Sequence, residues 1–184
     1  MKNKKAKPVL SVDEAQALIA MEKSTVRPME WVAKKQVSNP QWVQYVSACR
    51  IATADGGSEI REDLFFLTQF RARKIEIVGG ATIEYEEQYN AAFMVGGERI
   101  LAVDADSTPH TNKVGRGLPW YKKRVPGRYH LHIWTEDGYG YTEPIFQELD
   151  DIELAISHFL PLANLNLLGG FVHPLKGSQM DLLL

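Results

Sequence analysis

Between residues 42 and 144 the chain runs in short stretches of aromatic and β-branched residues, broken repeatedly by glycine pairs. This rhythm constrains the fold most. Short runs punctuated by turn residues pair into a sheet through hairpins, whereas a bundle needs longer stretches of helical period. The runs are 42–51 (WVQYVSACRI), 63–78 (DLFFLTQFRARKIEIV), 82–89 (TIEYEEQY), 91–95 (AAFMV) and 99–105 (RILAVDA). Two more follow at 128–134 (RYHLHIW) and 139–145 (YGYTEPI). Turn signals stand at Asp55-Gly56-Gly57, Gly79-Gly80, Gly96-Gly97 and Glu136-Asp137-Gly138. Gly96-Gly97 suits a primed two-residue hairpin turn.

Helical signals bracket the strands. Ser11 and Glu14 form a capping box, and Ala15, Leu18 and Ile19 follow at helical spacing. Near the other end, Asp150 or Asp151 is positioned to cap a segment in which Ile152, Ala155, Ile156, Phe159 and Leu160 share one face. Pro161 is expected to stop it. The order helix, many strands, helix predicts an α+β fold: a mostly antiparallel sheet, flat or strongly curved, with an N-terminal and a C-terminal helix.

At 184 residues the chain is read as a flexible basic tail (1–9) followed by a single domain (10–184) that carries a basic loop at 107–128. One cysteine, Cys49, excludes an intramolecular disulfide and points to a reducing cytoplasm. No run approaches the roughly 20 apolar residues of a membrane helix, so no membrane partner is expected. The net charge of -2 excludes a globally basic nucleic-acid binder but not a local basic site.

The loop supplies such a site. Lys113, Arg116, Lys122, Lys123, Arg124 and Arg128 follow one another without an acidic residue, and Trp120 and Tyr121 are interleaved with them. Cations that meet phosphates beside rings that stack on bases are the means of single-strand recognition. RNA or another nucleic acid is the expected partner; a solvated loop or a protein-binding surface competes with it.

Alternation along RYHLHIW turns Tyr129, Leu131 and Ile133 toward a core and puts Arg128, His130, His132 and Trp134 on the other face. Asp104 lies across from the histidines if its strand neighbours theirs, and His110 follows just beyond. Imidazole titrates near neutrality and serves as either acid or base. His130 and His132 are therefore candidates to cleave RNA without a metal, with His110 or Asp104 orienting one of them and Arg128 clamping the phosphate. No cofactor is needed on this reading. A divalent metal is the less favoured alternative. It would use His130, His132 and Glu136, spaced as in the opening motif of cupin barrels, with Asp104, Asp106 and His110 available as further ligands. The cupin glycine is replaced by Glu143, and no second cupin motif follows. A third reading is a non-catalytic face that binds a protein or a nucleic acid. No P-loop, dinucleotide fingerprint or nucleophile elbow occurs.

Pro109-His110-Thr111-Asn112, His130-Leu131-His132 and Gly138-Tyr139-Gly140 carry a resemblance across residues 10–174 to an uncharacterised bacterial family with the pattern P-H-x-N, H-x-H, E-x-G-Y-G. This chain departs from it in a longer, more basic loop. The layout is also similar to TumE-like toxin components. That likeness implies a nucleic-acid-directed toxin or phage–host conflict protein, with a cognate antitoxin or another protein as partner.

Overall fold

The computed structural model describes residues 10–35 and 42–176, so the tail expected at 1–9 lies outside the described residues. Two helices, α1 (Val12–Ala20) and α2 (Ile152–Leu162), bracket the strands. The strands are β1 (Lys23–Thr25), β2 (Val32–Ala33), β3 (Val43–Ala52), β4 (Ser58–Arg71), β5 (Lys74–Val78), β6 (Ala81–Tyr85), β7 (Gln88–Val95), β8 (Glu98–Ala105), β9 (His110–Thr111), β10 (Arg124–Val125), β11 (Tyr129–Thr135), β12 (Gly138–Pro144) and β13 (Leu165–Asn166). The fold is α+β, and its main sheet is a strongly curled half-barrel. The strand order is β12-β11-β8-β7-β4-β3-β1-β13, with β2 also on β3. Among the described residues every strand pairing in the main sheet is antiparallel except that of β1 with β13.

Local chemistry sets the ends of these elements. The Ser11–Glu14 capping box is formed in both directions, and Asp151 caps α2 by accepting from the Leu154 N–H. Gly96 and Gly97 both take positive φ, as a primed turn between β7 and β8 requires. Two expectations need correction. Pro161 does not stop α2, which runs on one residue to Leu162; the ladder loses the one bond that an N–H at 161 would give to the Ser157 carbonyl. The run 63–78 is two strands. β4 stays in the main sheet and pairs with β7 as far as Arg71–Gln88, while β5 leaves it and pairs only with β6.

The sheet has two distinct faces. Tyr89, Ala91 and Phe93 of β7 and Leu101, Val103 and Ala105 of β8 join Phe66 and Phe70 of β4 in the core, under Ile152, Ala155, Ile156 and Phe159 of α2. Full burial of each large apolar side chain there contributes roughly 2–3 kcal/mol. The alternate residues, Asn90, Ala92, Ala102 and Asp104, belong to the opposite face. Side-chain amides begin a polar row on it: Gln69 donates to Gln44, and Asn90, directly opposite Asp104, donates to Gln69.

One buried cation joins the helix ends. The Lys23 ammonium donates to the carbonyls of Ile19 and Met21 at the end of α1 and of Ala163 at the end of α2, and it sits 4.7 Å from the Phe93 ring centroid. Helix C-termini present unpaired carbonyls and partial negative charge, so one lysine satisfies both ends. Burial pulls its pKa down to about 8, and burial likewise pushes the nearby Cys49 thiol up to about 11.

Candidate functional site

Antiparallel pairing sets His130 opposite Asp104 and His132 opposite Ala102, so the alternation of β11 and β8 delivers both imidazoles and the carboxylate to the face away from the core. The loop then folds back over them. β9 and β10 form a small hairpin in which His110 pairs with Val125 and Thr111 with Arg124. Asn112 fastens this hairpin to β12: its side-chain amide donates to the Thr142 carbonyl and accepts from the Thr142 N–H, both at 2.8 Å, and donates to the Trp120 carbonyl. The amide thus pairs with the edge of β12 as another strand would. Gly115 completes the seat, because a Cβ there would lie 2.5 Å from the Tyr141 ring.

Three imidazoles converge under this clasp. The His110 ring centroid is 4.6 Å from that of His130 and 5.6 Å from that of His132, edge to face in both cases. The cluster divides into two groups. His132 Nε2 lies 3.0 Å from Asp104 Oδ2, an ion pair when the ring is protonated. Asp104 also accepts from Arg99 at 2.9 Å. Burial raises the Asp104 pKa, but His132 and Arg99 outweigh it and hold the carboxyl below its ordinary value. Tyr139 stacks on His132 with an interplanar angle of 11°, and the Arg99 guanidinium lies over the same ring.

The second group is Asp106, His110 and His130. One potential ligand atom from each lies within 4.8 Å of the others. His130 is completely buried, and among the described residues neither of its ring nitrogens has a hydrogen-bond partner. Burial, then the adjacent His110, lowers its pKa, which keeps the ring neutral. His110 Nε2 is likewise buried and without a hydrogen bond, 3.7 Å from Asp106 Oδ1.

Of the expected site residues, His110, His130, His132 and Asp104 come together. Arg128 lies elsewhere: its guanidinium donates to the Glu87 carbonyl and packs on the Tyr129 ring. The cation at the cluster is Arg99. A register irregularity between Phe93 and Met94 opposite Leu101 and Arg99 makes Ile100 an extra residue and moves Arg99 to the face of Asp104, which strict alternation does not predict. Trp134 also departs from expectation. The β11–β12 register shifts after Ile133, and the indole is buried in the core, donating to the Leu10 carbonyl. Glu136 stands apart from the histidines. With Lys113, Arg116, Tyr121 and Trp134 it lines a separate cavity of about 650 Å³ beside α1, to which none of the three imidazoles contributes. Lys122, Lys123 and Arg124 are exposed around the β9–β10 hairpin, and Trp120 is half-buried. Tyr139 was legible only as the centre of the Gly138-Tyr139-Gly140 motif, with no stacking role attached. The chain matches no family model, no curated protein and no solved structure.

Proposed function

We propose that this protein binds a nucleic-acid strand, RNA foremost, along its basic loop and hydrolyses a phosphodiester at the histidine cluster. One observation carries the reading: the segment that bears the exposed cations is the one that lays His110 over His130 and His132. Arg124 pairs across from Thr111, so a strand held by Lys122, Lys123 and Arg124 passes beside His110. The two histidines of β11 do not contribute alike. His130 is completely buried and His132 keeps only 5% of its surface, so neither presents an open face to a polymer. His132, braced by Asp104 and Arg99, is the imidazole suited to move a proton, and His110 is the half-exposed one above it. On the toxin reading, growth arrest on expression is the matching cellular effect.

The test is cleavage of an end-labelled single-stranded RNA at low salt. The wild type is expected to cut it, His132→Ala and Asp104→Asn to lose at least about 100-fold in rate, and Lys122→Ala/Lys123→Ala/Arg124→Ala to bind with a salt slope shallower by about 2. Failure of the wild type to cut any RNA or DNA overturns the hydrolytic reading. Tight, salt-dependent binding without cleavage would favour a binding module, the second reading that the exposed cations of the loop support.

A further inference from the structure

We propose that Asp106, His110 and His130 form a binding site for one divalent transition-metal ion of the zinc class. The inference deepens the hydrolytic reading, on which its meaning for catalysis rests, but metal binding is measured without any substrate.

Three observations converge on it. The residue types are a carboxylate and two imidazoles, the set that borderline divalent cations take from proteins when a further position stays open for water or substrate. The spacing fits as well. At 3.7 Å, His110 Nε2 and Asp106 Oδ1 are too far apart to hydrogen-bond. Two ligands on a tetrahedral ion with bonds of about 2.1 Å stand about 3.4 Å apart. A cation between them would draw the pair together by a few tenths of an ångström. The third observation is the state of His130. A fully buried imidazole with neither nitrogen bonded has lost its water without gaining a partner, which is unfavourable for each unsatisfied group. Coordination removes that cost for the ligating nitrogen.

The fold brings the three ligands from separate elements. Asp106 follows the last residue of β8, His110 opens β9, and His130 lies on β11 beside β8. Asp106 does not drift freely, because its Oδ1 accepts from the Thr108 N–H. Asn112 holds β9 against β12 two residues beyond His110. His132 and Asp104 are already engaged with each other and with Arg99, so they stand beside the site rather than in it. The metal alternative expected from the sequence, His130 with His132 and Glu136, is thereby replaced: one histidine is retained, and the other two ligands come from the start of the loop.

The experiment titrates the full chain, stripped with chelator and dialysed, with Zn²⁺ by calorimetry and with Co²⁺ by visible ligand-field absorption. One ion per chain is expected, with Zn²⁺ raising the melting temperature. His110→Ala and Asp106→Asn alter half-exposed residues and are the variants of choice, with folding checked by circular dichroism. Each should weaken Zn²⁺ binding at least about 100-fold and abolish the Co²⁺ spectrum, whereas His132→Gln should keep both. No stoichiometric binding by the wild type, or binding that His110→Ala leaves unchanged, overturns the site. A wild type that binds Zn²⁺ yet cuts no nucleic acid would keep the site and sink only the proposed substrate.

Discussion

Lys23 keeps only 2% of its surface in water, and Cys49 keeps none. Their pH dependences oppose. Lys23 titrates at about 8 in the folded chain against 10.5 as its ordinary value, so between those values the unfolded chain binds more protons and stability rises with pH. Cys49 is displaced from 9.0 to about 11, so from pH 9 upward the unfolded chain loses a proton that the folded chain keeps, and stability falls. The wild type should therefore gain about 0.6 kcal/mol between pH 8 and 9, the Lys23 gain less the onset of the Cys49 loss, and nearly level off above. Urea midpoints at fixed pH are the measurement. Cys49→Ala should extend the rise beyond pH 9, and Lys23→Met should remove it; a wild type flat from pH 8 to 9 contradicts the account. Residue by residue, the site was readable wherever strict alternation held. His130, His132 and Asp104 share a face by counting in twos, and His110 needed only to follow the strand of Asp104. Arg99 was not readable, because one extra residue at Ile100 reverses its side and nothing in Glu98-Arg99-Ile100-Leu101 marks that irregularity.

At the scale of elements, the loop 107–128 is anchored rather than draped. Asn112 alone contributes three hydrogen bonds, two of them to the outer edge of β12, and is buried to 1% exposure. Asn112→Ala should cost about 3 kcal/mol, one for each bond. Hydrogen exchange should localise the effect, with the amides of Lys122 and Thr142 losing protection while those of β4 and β7 keep theirs. Uniform loss across the sheet would mean instead that the clasp supports the whole fold. The basic and glycine-rich composition of this segment was legible as a loop, but its attachment was not. A side chain that imitates a strand leaves no periodic trace in sequence. Helix ends were more readable, since capping is local: Ser11, Glu14 and Asp151 act within three residues of themselves.

For the whole molecule, β5 and β6 are an appendage. Among the described residues they pair only with each other, and they carry Ile75, Ile77, Val78 and Ile83 exposed, Ile77 to 78%. Because Arg71 already pairs with Gln88, removing residues 74–85 leaves Ala72-Arg73-Glu86-Glu87 as a four-residue connection between β4 and β7. That deletion should fold with a stability within about 1 kcal/mol of the full chain, as measured by urea denaturation; a large loss would show that the hairpin supports the core. Gly79-Gly80 announced the turn, but the departure from the sheet was hidden because Ala72-Arg73 carries no turn chemistry. The opposite margin of the sheet has a consequence for biosynthesis. β1 is held on one side by β3 and on the other by β13, so Lys23 waits for Leu165 and for the Ala163 carbonyl. During vectorial synthesis α1 emerges well before its last partner, because the Ala163 carbonyl follows Lys23 by 140 residues. A stop before α2 leaves the Lys23 ammonium its two local partners, Ile19 and Met21, but takes away the Ala163 carbonyl and the β13 edge, so truncated products lack the contact that ties α1 to the rest of the fold.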